Sequence, residues 1–208
     1  TGRASNVPAG VEFREADVRD AEAIDDAMDG VDVVFHLAAG VSVPESIDEP
    51  LGYHERNATG SLQILEAARR VDARVVLASS AAVYGTPASV PVTEAQPATP
   101  LSPYGVSKLA ADHYGQVYAT VYGLPVVSLR YFNIYGPRQR AGSDGGVVAT
   151  FRDRAERGEP LLVHGDGGQT RDFVHVDDVV RANVLAAATD APSGVYNVGT
   201  GERTTVRD

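Results

Sequence analysis

The chain has 208 residues, 43% of them hydrophobic and 22% charged, and its length allows one large domain or one domain and part of another. Its formal net charge of −10 excludes a general electrostatic attraction to nucleic acid or acidic lipid, because those surfaces are also negative. No apolar run approaches the roughly 20 residues of a membrane-spanning helix, and no secretory leader is recognisable. The sequence has no cysteine, which excludes disulfides and thiolate chemistry and fits a reducing compartment, so we expect a cytoplasmic protein.

The first part of the chain predicts a helix between two strands. Residues 11–13 form a short apolar run that predicts a strand. Residues 20–29 predict a helix, with Asp20 as its N-cap and Gly30 at its end. Residues 31–37 are almost continuously apolar, which is typical of a parallel strand covered on both faces.

The middle of the chain continues this alternation. Residues 49–71 predict a long helix, and residues 74–78 predict a strand. Residues 83–103 contain five prolines and predict an irregular loop. A helix over residues 102–122 and a strand over residues 125–130 follow.

The last part of the chain has shorter elements. Residues 136–146 predict a loop, 147–157 a helix, 161–163 a short strand, 176–189 a helix and 195–198 a strand. Alternating strands and helices with apolar strands indicate an α/β fold with a doubly wound parallel sheet. The shorter pieces after about Gly136 indicate a small second lobe next to the carboxyl ends of the strands, where such sheets bind ligands.

Two groups of polar residues fall at those strand ends. Tyr104 and Lys108 are four residues apart on a predicted helix and therefore share one face. An ammonium close to a tyrosine favours the phenolate, so this pair can transfer a proton; the alternative is an ordinary surface pair. Lys108 is the single lysine among 18 Lys and Arg residues, which favours the functional interpretation. Ser79 and Ser80 directly follow the strand over residues 74–78. They are either turn residues or hydroxyls that face the same cleft.

Seven motifs, in order along essentially the whole chain, make the sequence similar to a known family. They are FHLAA (35–39), NATG (57–60), SSAAVYG (79–85), YGVSK (104–108), LRYFNIYGPR (129–138), TRDFVHVDD (170–178) and YNVGTG (196–201). Together they resemble the extended short-chain dehydrogenase/reductases, the NAD-dependent epimerase/dehydratase family, and most of all its UDP-sugar 4-epimerases. The resemblance implies a Rossmann-like sheet, with a partial NAD-binding domain over residues 1–135 and substrate-binding elements over residues 136–208, interleaved with the last Rossmann strand and helix.

The resemblance also implies roles for individual residues. The catalytic set would be Ser80, Tyr104 and Lys108, and no metal is expected. NAD would be the cofactor, and a UDP-sugar would be the substrate. The implied NAD-binding residues are Asp17, Val18, Leu37, Ala38, Ala39, Asn57, Ser79, Tyr104, Lys108 and Tyr131. The implied substrate-binding residues are Ser80, Asn133, Leu162, His164 and Arg171.

The implied reaction is the 4-epimerisation of UDP-glucose and UDP-galactose through a 4-keto intermediate, a step of galactose metabolism. Family members that dehydrate their substrate carry an acid-base carboxylate pair directly after the catalytic hydroxyl. Ala81 and Ala82 occupy those places here, which disfavours dehydration. The alternatives that stay open are another nucleotide-sugar reductase or dehydratase, and a catalytically silent fragment or NAD-sensing module.

The chain departs from the family pattern at both ends. No G-x-x-G-x-x-G turn occurs in it, whereas the resemblance implies a strand, such a turn and a helix before Asp17. We therefore expect the parent protein to contain that segment and more of the substrate lobe. We also expect the sheet of this chain to be split, with the strand over residues 11–13 standing apart. A homodimer is expected, formed by the helices over residues 49–71 and 102–122.

Overall fold

The computed structural model describes residues 3–142, 146–163, 165–188, 190 and 192–207. Its helices, α1 to α7, are Ala21–Ala27, Val43–Asp48, Pro50–His54, Gly60–Val71, Pro103–Tyr122, Val147–Glu156 and Val176–Ala188. Its strands, β1 to β8, are Val33–His36, Arg74–Ser80, Val126–Tyr131, Asn133–Tyr135, Thr170–Arg171, Phe173–His175, Gly194–Val198 and Thr204–Thr205. A π-helical turn, Glu55–Thr59, joins α3 to α4, and a 3₁₀ turn, Ala81–Tyr84, follows β2. None of the described helices is long and apolar enough to cross a bilayer.

The centre of the molecule is a four-stranded parallel sheet in the order β1-β2-β3-β7. Side chains alternate between the two faces of each strand, so both faces are apolar and both are covered. On one face Val75 and Leu77 pack with residues of α1, α4 and α5. On the other face Val76 and Leu129 pack with Ala186 of α7. Helices on both faces of a parallel sheet confirm the doubly wound α/β prediction.

Local signals predicted most helix ends correctly. The Asp20 carboxylate accepts a hydrogen bond from the Ala23 amide at the start of α1, as predicted for its N-cap. The Ser102 hydroxyl caps α5 in the same way by accepting from the Gly105 amide. Capping depends on residues within one turn of each other, so the sequence carries the whole signal.

Two predicted strands are wrong. Residues 11–13 form no strand, and Val11 and Phe13 are more than half exposed. Residues 161–163 likewise form no strand, and Leu162 is 56% exposed. A strand is held by ladder hydrogen bonds to a neighbour, and no described strand lies beside either run. The four paired strands consequently form one continuous sheet, so the expectation of a split sheet is also wrong.

Other differences concern elements that the sequence pattern did not resolve. The predicted helix over residues 49–71 is α3, the π turn Glu55–Thr59 and α4 in succession, and α2 before it was not predicted. Two small sheets were missed as well, the parallel pair β4 with β6 and the antiparallel pair β5 with β8. Their strands have two or three residues each, too few for a periodic pattern to show.

Candidate active site

A cleft of about 1600 Å³ opens at the carboxyl ends of the central strands. It exceeds the roughly 300–1,000 Å³ of an ordinary small-molecule site. The ends of β2, β3 and β7 lie side by side there, because Ser80 pairs with Tyr131, and Tyr131 with Val198. The predicted site residues that line the cleft are Leu37, Ala39, Ser79, Ser80, Tyr104, Lys108, Tyr131, Asn133, Leu162 and Arg171.

Helix α5 brings Tyr104 and Lys108 to the cleft. Its first turn lies against the 3₁₀ turn that carries Ala82, so closely that a Cβ on Gly105 would be 2.8 Å from the Ala82 carbonyl oxygen. Both predicted side chains are buried, Tyr104 at 9% and Lys108 at 6% exposure. The Lys108 ammonium donates to the carbonyl oxygen of Ala78 on β2 at 2.8 Å. The chain's one lysine is therefore a buried group held against the sheet.

Burial dominates the proton affinities of the pair. Burial lowers the pKa of Lys108 to about 8, and the negative charge of Asp112 partly opposes this. Burial raises the pKa of Tyr104, and a hydrogen bond with Ser80 partly opposes that. The expectation that the ammonium lowers the pKa of Tyr104 is therefore not met in this structure. The physical reason is that desolvation disfavours the phenolate, while the Lys108 amine is bonded to a carbonyl oxygen of β2.

The two serines at the end of β2 have different surroundings. The Ser80 hydroxyl accepts a hydrogen bond from the Ala82 amide at 3.2 Å and also bonds Tyr104. It thus combines the turn-residue role with a contact to the tyrosine. The Ser79 hydroxyl is buried and has no hydrogen-bond partner of normal geometry among the described residues.

Asn57 fastens the loop after β1 to α5. Its side-chain oxygen accepts from the Gly40 amide at 2.8 Å, and its Nδ2 donates to the Gly40 carbonyl and to the Ser107 hydroxyl, both at 3.0 Å. Ser107 in turn donates to the Tyr104 carbonyl oxygen. Asn57 lies in the π turn, a distortion of helices that often accompanies functional sites. The loop cannot shift without breaking bonds to α5.

Some predicted cofactor residues lie outside the cleft. The Asp17 carboxylate is exposed and forms a bidentate ion pair with Arg19, which lowers the pKa of Asp17 to about 2. Val18 packs near the start of α4, where a Cβ on Gly60 would be 2.7 Å from Val18 Cγ2. Ala38 is exposed on the loop after β1 and does not line the cleft.

Besides Ser80, the predicted substrate residues Asn133, Leu162 and Arg171 line the cleft. Asn133 is held by two hydrogen bonds to the Asp172 carbonyl oxygen, one from its backbone amide and one from Nδ2. Arg171 and Leu162 are exposed at the rim. Tyr131 is half-buried, and its hydroxyl donates to Asn183 on α7 at 2.9 Å. His164 lies outside the described residues.

A buried polar network behind the site was not predicted. Asp112 and Arg130 form an ion pair of 2.9 Å with side-chain exposures of 0% and 6%. Arg130 Nη1 also donates to the Tyr84 hydroxyl at 2.9 Å, and that hydroxyl donates to Asn197 on β7 at 2.7 Å. The available signal was the spacing of Asp112, one further helical turn along the face that carries Lys108.

The donor groups of the cleft suit the nicotinamide end of NAD. A buried ammonium and the hydroxyls of Ser79, Ser80 and Tyr104 are donors of the kind that ribose and carboxamide oxygens require. The loop after β1 packs closely against Tyr53, since a Cβ on Gly40 would be 2.9 Å from the ring of Tyr53. Among the residues that the structure describes, no cluster of His, Asp or Glu could hold a metal ion.

Comparison with known proteins gives the chain's relatives. Residues 1–199 match the model of the NAD dependent epimerase/dehydratase family. The chain is 38% identical to the UDP-glucose 4-epimerase of Mycolicibacterium smegmatis over 221 residues, covering 100% of this chain and 69% of that protein. It superposes on the UDP-glucose 4-epimerase of Thermotoga maritima, solved with UDP-glucose, with a TM-score of 0.96 and 38% identity, covering 100% of this chain and 68% of that one.

A third relative is the UDP-glucose 4-epimerase of Thermus thermophilus, solved in complex with NAD. The TM-score is 0.92 at 43% identity, covering 100% of this chain and 69% of that one. These matches extend over sequence, fold and nearly the full length of the chain. The chain therefore belongs to the NAD dependent epimerase/dehydratase family.

Proposed function

We propose that this protein catalyses the NAD-dependent 4-epimerisation of a UDP-sugar, with UDP-glucose and UDP-galactose as its substrate pair and galactose metabolism as its context. The observation that carries the proposal is the meeting of Ser80, Tyr104 and Lys108 in one cleft at the ends of β2 and β3. The relatives named UDP-glucose 4-epimerase support it. The chemistry that NAD supplies is the acceptance of a hydride from C4 of the sugar and its return to the opposite face.

The chain's own residues transfer the proton of the sugar hydroxyl. Tyr104 accepts the proton of the sugar 4-hydroxyl, directly or through the hydroxyl of Ser80, to which it is hydrogen-bonded, and gives it back to the same oxygen when hydride returns to C4. Lys108 binds the nicotinamide ribose and holds a positive charge beside the tyrosine. Because burial raises the pKa of Tyr104, this positive charge is needed close to the hydroxyl when the proton moves.

We propose that the rest of the cleft holds the two nucleotides. Leu37 and Ala39 follow the diphosphate and ribose of NAD, with Ala38 beside them, while Asp17 and Val18 take the adenine end. Ser79 and Tyr131 lie near the nicotinamide, and Asn57 fixes the loop. Asn133, Leu162, His164 and Arg171 hold the UDP portion, where the guanidinium of Arg171 supplies a local cation in an acidic chain.

The residues after Ser80 favour epimerisation over dehydration. Ala81 and Ala82 line the cleft, and neither side chain can protonate a leaving hydroxyl. A 4-keto sugar formed in this cleft is planar at C4, and the reaction open to it is the return of hydride to that carbon. The cleft is also wide enough for the sugar to turn over before that return.

The test is turnover by the full-length protein with UDP-galactose and NAD, followed by chromatography of UDP-glucose. Tyr104→Phe should abolish conversion while NAD binding, measured by calorimetry, and the circular dichroism spectrum stay unchanged. Tyr122→Phe, an exposed tyrosine on the same helix, is the matched control and should keep full activity.

Full conversion by Tyr104→Phe would overturn the proposed mechanism. Formation of a 4-keto-6-deoxy sugar would indicate a dehydratase, and net consumption of reduced cofactor would indicate a reductase. Absence of all three products with intact cofactor binding would indicate an NAD-sensing module.

The proposal also assigns the two parts of the chain to different ligands and includes a homodimer. We propose that residues 1–135 serve NAD and that residues 136–208 serve the substrate, although α7 and β7 of the second part complete the central sheet. We further propose a homodimer formed through α5 and its neighbours, because Val106, Val117 and Val121 are exposed on α5.

A further inference from the structure

The face of α5 that carries Lys108 carries a second buried charge one turn later. Asp112 follows Lys108 by four residues and has no exposed surface. The helix lies directly on the sheet at this level, since a Cβ on Gly115 would be 3.0 Å from Val126 Cγ1 and 3.1 Å from Leu77 Cδ1. Both charged side chains are buried, Lys108 at 6% and Asp112 at 0% exposure, so they interact in a medium that screens them weakly.

Asp112 is only partly satisfied by hydrogen bonds. Its Oδ2 accepts from Arg130 Nε on β3 at 2.9 Å. The hydroxyls of Ser79 and Ser128 lie near enough to favour the carboxylate form, yet Oδ1 has no hydrogen-bond partner of normal geometry within the described residues. Arg130 is also held at its other end, where Nη1 donates to the Tyr84 hydroxyl.

A purely structural role explains this arrangement poorly. A buried ion pair contributes little net stability, and well-packed apolar residues of similar volume often do as well or better. What the pair provides that apolar residues cannot provide is a carboxyl group on the lysine-bearing face of α5; burial raises the pKa of Asp112, and the hydrogen bond from Arg130 opposes this and favours the carboxylate.

We propose that Asp112 is a positioning residue of the site, acting through Lys108: its buried carboxylate, held by Arg130, keeps the Lys108 side chain in the ammonium form and against the Ala78 carbonyl. Asp112 touches neither substrate nor cofactor in this assignment. The inference depends on the proposed function only in taking Lys108 as a catalytic residue.

The groups that face Lys108 come from three directions. His36 on β1 is buried beside it, and burial together with the charge of Lys108 lowers the pKa of His36 to about 4, so this ring is neutral at pH 7. Tyr104 lies one turn before it on α5, and Arg130 projects from β3 behind Asp112. Asp112 is thus the anion that offsets burial and raises the pKa of Lys108. Removing its charge should lower that pKa.

The pKa of Lys108 can be measured without turnover. Because Lys108 is the chain's single lysine, protein grown on lysine labelled with ¹³C at Cε should give a side-chain resonance that titrates with this one amine. Lys108→Arg assigns the resonance by its loss. In the full-length protein, Asp112→Asn should lower the pKa of Lys108 by about one unit or more, the usual effect of a close opposite charge.

Two further variants separate charge from structure. Asp112→Asn/Arg130→Gln removes both charges, avoids an unpaired guanidinium, and should also lower the pKa of Lys108, by a smaller amount. Tyr84→Phe breaks the far end of the network but keeps the carboxylate, so it should reduce stability and leave the pKa of Lys108 unchanged.

The pH dependence of kcat provides the functional readout. In Asp112→Asn the alkaline limb should move to lower pH, because the amine loses its proton earlier. An unchanged Lys108 titration in folded Asp112→Asn, or in the double variant if the single one does not fold, would show that Asp112 is only structural. A shifted titration in a protein that turns over no UDP-sugar would instead support Asp112 and contradict the proposed function.

Discussion

Lys108 is buried at a free-energy cost. Its pKa falls from 10.5 to about 8, so the folded state binds fewer protons than the unfolded state between these values. At neutral pH the ammonium therefore destabilises the fold by about 3 kcal/mol, at roughly 1.4 kcal/mol for each pKa unit. The hydrogen bond from the Lys108 ammonium to the Ala78 carbonyl oxygen offsets about half of this cost.

We predict that Lys108→Met stabilises the protein. The free energy of unfolding at pH 7 should rise by about 1–2 kcal/mol, since an apolar side chain removes the desolvation penalty. Urea unfolding measures it. The advantage of the variant should shrink as pH rises from about 8 to 10.5, where the wild-type amine loses its proton in the unfolded state as well. A variant less stable than wild type at pH 7 would contradict the prediction.

His36 should make the fold acid-sensitive. Its pKa is lowered from 6.5 to about 4, so the folded state holds a neutral ring where the unfolded state is protonated. Its stabilising contribution is complete above pH 6.5 and is lost as pH falls towards 4. We predict a loss of about 2.5 kcal/mol near pH 4.5 from this group alone, over about two pKa units.

The matched variant is His36→Gln, which cannot titrate and whose amide can still bond the Ser61 hydroxyl. Unfolding experiments across this pH range should show a steeper decline for wild type than for the variant. Parallel declines would mean that His36 is protonated in the folded state.

For individual residues, the sequence allowed an assignment where both partners lie on one helix. Tyr104 and Lys108 could be paired because a helix places residues four apart on one face. Arg130 and Asn197 could not be assigned, because their partners Asp112 and Tyr84 are 18 and 113 residues distant, respectively. Such contacts depend on which strands become neighbours.

The 3₁₀ turn after β2 depends on one glycine. Gly85 has a φ of +62°, and a Cβ there would lie 2.1 Å from the Thr99 carbonyl oxygen. We predict that Gly85→Ala destabilises the protein by about 3 kcal/mol or more, because the backbone itself must move. The turn also carries Ser80 to Tyr84, so NAD-dependent turnover should fall with stability.

Gly123 provides the control for that substitution. It ends α5 with a φ of +71°, and a Cβ there would meet nothing within 4 Å. Gly123→Ala should cost only the strain of a left-handed residue, about 1 kcal/mol. Equal thermal-unfolding shifts for the two variants would mean that the close approach at Gly85 is unimportant.

Helices were predictable as elements and short strands were not. Helix α5 has its cap, its length and its glycine end within the sequence that forms it. The run over residues 11–13 has a strand-like composition but lacks a neighbouring strand among the described residues, and remains exposed. Pairing is a property of two segments, so the composition of one segment cannot decide it.

The whole molecule presents an apolar face on α5 that a second copy can cover. Val106, Val117 and Val121 are each at least half exposed there. We predict that Val117→Asp converts a dimer into a monomer, because a charge inside an apolar interface is strongly unfavourable. Light scattering gives the mass, and Val11→Asp, at an exposed valine away from the helices, should leave the dimer intact. A wild-type monomer would contradict the proposed assembly.

By itself, the sequence determined the fold class, the order of most elements and the candidate residues that meet in the cleft. These features follow from hydrophobic periodicity, from capping within one helical turn and from motifs that occur in a family-like order along the chain. Only the tertiary structure decided that the run over residues 11–13 is not a strand, that Asn57 fastens the Gly40 loop to α5, and that burial raises the pKa of Tyr104. Each of these depends on which distant segments exclude water together, and no local pattern encodes that.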